Sequence, residues 1–291
     1  MAEVQMLESL NEDMTLWRYM SLDKLIDLIN TKELFLTPLS YYEATDPYEG
    51  LMPITAAEAI MKEIEAIHLE PINHGRMKLE KIPREKQDED AYNKALLQLI
   101  ELEKETKKNV SDIYRQVSKS ALVNCWHYNK NESEAMWKLY STQNNGIAIK
   151  TTVGSLIKSI NKDLLRGEVF LGRVKYFNFH DTELPVKECL ADGCMIPLLK
   201  RDSFKHEDEV RLYMTEEINE NNYNNFTPTP LRIKVDIDEL IHNIYISPYS
   251  NEPYPSSVKY ICEKFEIPEM KIEKSKLLDI DPRLLAIYSR Q

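Results

Sequence analysis

The chain has 291 residues, 43% hydrophobic and 29% charged, a composition that supports a folded core and excludes disordered and fibrous classes. Its net charge of −11 argues against nucleic acid held by a bulk basic field. No apolar run of about 18 residues occurs, and the opening Glu3, Glu8, Glu12 and Asp13 leave no basic start or apolar stretch, so the expectation is a cytoplasmic protein without a membrane span or secretory leader.

In chain order, Thr15 to Met20 is a short β-prone run. Ser21 then stands as N-cap to a helix whose Leu22, Leu25, Ile26 and Ile29 recur at helical spacing through about Asn30. Leu34 to Thr37 reads as a strand stopped by Pro38. Ser40 to Gly50 is an aromatic and acidic loop, punctuated by Asp46-Pro47 and Gly50, whose tyrosines either pack beneath it or line a pocket. Residues 55–119 read as a charged helical insertion. A capping box, Thr55 with Glu58, opens a helix to about His68, and 71–90 reads as a connection because of Pro71, Gly75 and Pro83. A second helix from about Asp90 to Lys108 and a third carrying Val110, Ile113 and Val117 complete it. Balanced charge on these helices is consistent with a solvated face or a partner-binding one.

The remainder is strand-rich, with strands expected at 121–127, 146–150, 170–176, 210–214, 231–236 and 244–247 and short helices at 133–140, 153–160 and 256–265. Helices and strands mix without a βαβ rhythm, so a single α+β domain over 1–291 with a mixed, mostly antiparallel sheet is expected. Four cysteines, Cys125, Cys189, Cys194 and Cys262, lack the paired spacing of a zinc site, and no metal is expected. With seven glycines and no G-x-G-x-x-G or G-K-[ST] loop, a glycine-cradled phosphate site is not indicated.

The cluster His206-Glu207-Asp208-Glu209-Val210-Arg211 carries the chemistry. A strand would place Glu207 and Glu209 on one side and Asp208 on the other. Two carboxylates so close are either part of a salt-bridged edge or a site that accepts a cation or a cationic transition state. For Arg18 and Arg211 the structural alternative is an ion pair with those same acids.

Several blocks in order, Trp17-Arg18-Tyr19, Asp46-Pro47-Tyr48-Glu49-Gly50, Ala135-Met136-Trp137-Lys138-Leu139-Tyr140 with Gly146, and Glu207-Asp208-Glu209-Val210-Arg211, resemble a widespread bacterial domain-of-unknown-function family. Thr45 stands where that family usually has Asn. The first-strand Arg18 and late Glu-x-Glu also resemble the ADP-ribosyltransferase fold. That resemblance implies NAD as substrate and no metal, with Glu209, Glu207 and Tyr140 catalytic and Arg18, Tyr19, Tyr42, Trp137 and Ser141 around the cofactor. It implies an effector that modifies a protein or nucleic acid, such as a toxin or an anti-phage protein. Two other readings remain open: a metal-independent nuclease using His127, His206 and Glu209, and a non-enzymatic sensor or adaptor that binds a partner through residues 55–119.

Overall fold

A computed structural model describes residues 3–83, 88–165, 167–193, 196–216 and 227–288. Cys194 of the cysteine pattern, and the side chains of Val110, Ile113 and Val117 in the expected third insertion helix, lie outside the described residues. The chain runs β1 (Val4–Met6), β2 (Thr15–Met20), α1 (Leu22–Thr31), β3 (Glu33–Pro38), α2 (Ile54–Glu80), α3 (Glu89–Lys119), β4 (Ala121–Tyr128), α4 (Glu134–Tyr140), β5 (Ile147–Thr152), α5 (Val153–Ser159), β6 (Val169–Arg173) and β7 (Lys175–Phe177). It continues through β8 (Leu199–Arg201), β9 (Glu209–Thr215), β10 (Leu231–Lys234), α6 (Ile237–Leu240), β11 (Asn243–Ile246), α7 (Tyr254–Lys264), β12 (Ile272–Lys274) and α8 (Pro282–Tyr288).

The fold is mixed α and β around a mostly antiparallel sheet of order β1-β6-β9-β4-β2-β5-β11-β12, and the parallel pairs of that sheet lie at its two edges. Period-two alternation sorts the side chains. Leu122 and Trp126 of β4 join Val210 and Leu212 of β9 in the largest core cluster. Ala121, Val123 and Tyr213 face the other way into a second cluster, and Trp17, Tyr19 and Trp137 form a third.

One edge of β4 is shared by two strands. β2 meets its end, Leu16 opposite Tyr128 and Trp17 opposite His127, whereas β3 meets its beginning, Thr37 opposite Val123 and Pro38 opposite Leu122. Each of the two is held by a further partner, β2 by β5 along six residue pairs and β3 by β10. The sheet therefore forks, and Asn124, Cys125 and Trp126 have no ladder partner on that edge. Asn124 compensates in part: its Nδ2 donates to Phe35 O at 2.9 Å, and Trp126 Nε1 donates to its Oδ1 at 2.7 Å.

Several expected boundaries differ. α2 runs through Pro71 and Gly75 to Glu80, and α3 is one helix from Glu89 to Lys119. Packing between the two helices overrides the local breakers: Ile72 is buried, Gly75 sits against Leu99, and Arg76 pairs with Glu103 at 2.7 Å. The strand expected at 170–176 divides at Val174, whose N donates to Glu209 O while the next amide, Lys175 N, turns to Leu198 O. No helix among the described residues is long and apolar enough to cross a membrane.

Candidate functional site

A cleft of about 760 Å³ occupies the fork between β2 and β3. Asn124, Cys125 and Trp126 line it, as do β9 and the end of the turn before β9. A smaller cavity of about 410 Å³ near Tyr249 has Glu252 as its one charged lining residue, so the chemistry of interest lies in the fork. Arg18 follows the last β2 residue paired with β4 and stands in that fork with its guanidinium 5.7 Å from the Trp126 ring centre. It makes no ion pair among the described residues, and burial depresses its pKa. An uncompensated guanidinium in a cleft is a site for an anion, above all a planar or bidentate one.

The same cleft is also lined by a buried ion cluster. Lys200 of β8 contacts Glu207 Oε2 at 2.5 Å, also contacts Glu209 Oε1, and lies 3.7 Å from Glu49 Oε2. Arg211 Nε donates to Glu209 Oε2 at 2.6 Å, while its Nη1 lies 2.7 Å from Glu49 Oε1 and donates to Pro197 O. The aromatic and acidic loop is thus tied to β9 by Glu49 and to β8 by Asp46, which accepts from Arg201 at 2.6 Å. The electrostatics separate the two neighbouring acids. Burial, then the adjacent Glu209, push the Glu207 carboxyl up to about 7. Burial acts the same way on Glu209, but Arg211 and Lys200 outweigh it and hold that carboxyl well below its ordinary range.

Glu207 and Glu209 do come together and Asp208 does point away, to Arg173 at 2.8 Å, but the cause is not the pleat of one strand. Glu207 ends a 3-10 turn spanning Asp202–Glu207, Asp208 takes a left-handed conformation with φ 37°, and β9 begins only at Glu209. The turn folds the first acid back beside the second.

Arg18, Tyr19, Tyr42, Tyr140, Glu207 and Glu209 all line the cleft. Tyr42 and Tyr140 form phenolic walls whose hydroxyls are pushed up, Tyr42 to about 12, by burial first and for Tyr140 next by Glu207 and Glu209. Tyr19 is committed to structure: its hydroxyl accepts from Ser133 N at 2.8 Å and its ring meets Trp137 edge-on at 5.0 Å. Trp137 and Ser141 do not reach the cleft. Trp137 is fully buried in the third cluster with Nε1 donating to Glu132 at 2.9 Å. Ser141 Oγ is buried without a hydrogen-bond partner, against Gly146, where a side chain would come within 2.2 Å of it. Sequence reasoning missed Lys200, Glu49 and Asn124. The available signal was charge at the end of an apolar stretch, Lys200-Arg201 directly after Leu198-Leu199.

Set against protein-family models, curated proteins and solved structures, the chain matches none of them. His127 lines it, but burial lowers its pKa and Nδ1 meets Glu207 O at 2.5 Å, while His206 is exposed and outside the lining. Cys125 lines the cleft with its thiol raised by burial, and Cys189 and Cys262 are buried apart from it.

Proposed function

We propose that the fork cleft binds NAD and cleaves its nicotinamide–ribose bond in an ADP-ribosyltransferase-like reaction, transferring ADP-ribose to a protein or nucleic acid as an effector. The observation that carries this reading is the Arg18 guanidinium, without an ion pair among the described residues, in the same cleft as the Glu207–Glu209 pair. Arg18 takes the diphosphate, and Tyr42 and Tyr140 flank the rings. Bond cleavage sends the electron pair to the nicotinamide nitrogen and leaves positive charge on the ribose, so a carboxylate held beside the sugar acts where charge appears only in the transition state. Glu209, held ionised by Arg211 and Lys200, supplies the fixed negative field. Glu207 takes the proton released when the acceptor atom bonds to the ribose carbon.

The test is nicotinamide release from NAD by the purified protein with cell lysate as acceptor source, wild type beside Glu209→Gln. Release that the variant loses supports the reading. No release together with no NAD-induced rise in melting temperature overturns it.

A second reading has its own support. On the α2–α3 hairpin, Ile67, Met77, Leu97, Ile100 and Leu102 are roughly half exposed or more. A partner-binding adaptor role predicts that hairpin deletion abolishes partner capture while the sheet stays folded.

A further inference from the structure

The cluster beside the cleft holds three carboxyl groups, Glu49, Glu207 and Glu209, against two cations, Lys200 and Arg211. One carboxyl is in excess, and a buried excess charge is relieved by taking up a proton. The contacts determine which group takes it. Glu209 is held on both oxygens, by Lys200 and by Arg211. Glu49, its side chain 3% exposed, faces Arg211 at 2.7 Å and Lys200 at 3.7 Å. Glu207 touches a single cation, Lys200, and shares that one with both other acids.

We propose that Glu49 is a positioning residue: by occupying Arg211 and drawing on Lys200, it makes Glu207 the carboxyl that exchanges a proton on the cleft wall. Without the third acid the remaining two would each have a cation, and Glu207 would stay ionised. The other groups facing Glu207 do not substitute for Glu49. Tyr140 of α4 is a phenol raised by burial, and His127 of β4, which contacts the Glu207 carbonyl, is kept toward its neutral form by burial. Asp208 is turned away to Arg173, and His206 lies on the exposed side of the same turn. The raised Glu207 carboxyl agrees with the charge count. This inference rests on the proposed function only for its purpose, since a carboxyl that changes protonation near neutrality suits uptake of the acceptor's proton.

The experiment is infrared titration of the protonated-carboxyl stretch in the full chain, with the Glu207 band identified by its loss in Glu207→Gln. In Glu49→Gln the midpoint falls by about one pH unit, a tenfold loss of proton affinity, and Glu49→Asp, which keeps the charge, returns it toward wild type. An unmoved midpoint in a folded Glu49→Gln overturns the proposal. If that variant does not fold by circular dichroism, Lys200→Gln decides: loss of the ammonium shared by Glu49 and Glu207 raises the midpoint, and an unchanged value overturns the proposal equally. Because the band is read without NAD, absence of NAD cleavage would remove the functional reading and leave this result standing. Where cleavage is present, the limb of its pH profile moves with the band.

Discussion

Arg211 Nε stands 2.6 Å from Glu209 Oε2, two residues back on the same face of β9, with neither side chain as much as a tenth exposed. The pair is the hinge between stability and chemistry in this protein, because the same carboxylate that anchors Arg211 lines the cleft.

Arg211→Met removes one cation from a cluster already one cation short. Breaking a buried pair from one side leaves an uncompensated charge, and the expected loss is about 3–5 kcal/mol. Urea denaturation at neutral pH measures it. A loss below about 1 kcal/mol would mean that water reaches the cluster and screens it.

The raised Glu207 carboxyl sets a pH dependence with a definite sign. Its folded value, about 7, exceeds the ordinary 4.5, so between these two the folded chain binds more protons than the unfolded one. The stability from this group is full below the ordinary value and is lost as pH rises toward and through about 7. His127, lowered by burial, acts in the opposite direction, so the comparison must be between wild type and Glu207→Gln. Urea unfolding at several pH values across this window is expected to show wild type losing stability relative to the variant as pH rises. A difference that does not change with pH would contradict the assignment.

Arg18 has no ion pair among the described residues to lose. Arg18→Ala is expected to change stability by no more than about 1 kcal/mol, the scale of its contact with Trp126, while binding of NAD or inorganic pyrophosphate weakens about tenfold or more. Calorimetric titration beside thermal melting separates the two. Unchanged anion binding would place the anion elsewhere.

Trp137, by contrast, is core. Trp137→Ala is expected to destabilise the fold by about 3–5 kcal/mol, in addition to leaving Glu132 without its indole donor. If Trp137 stacked on a ligand instead, the variant would lose binding with little change in its unfolding midpoint.

Much of the fold was legible locally. The Thr15–Met20 strand, the helix after Ser21 and the strand beginning at Ala121 fall where periodicity places them, although the Ser21 side chain makes no capping hydrogen bond. Pro71 misled because the cost of a proline inside a helix is a local quantity, and the contacts of Gly75 and Arg76 with α3 are not. Trp137 and Ser141 misled for a related reason. They lie within three residues of Tyr140, which does line the cleft, but Trp137 packs into the third cluster with its indole on Glu132, and Ser141 has extended backbone past the end of α4 and lies against Gly146.

What the amino-acid sequence determined by itself was the alternation that builds the strands, the acid pair at 207 and 209, and an arginine on the first long strand. Periodicity and charge are written along the chain, and they needed no partner to be read. The tertiary structure alone decided that β2 and β3 would leave the same edge of β4 and open a cleft. It also brought Glu49, Lys200 and Arg211 into one buried cluster while leaving Arg18 without an ion pair among the described residues. Those outcomes depend on which distant segments pair and on how many charges meet when water is excluded, and neither quantity exists until the chain has folded.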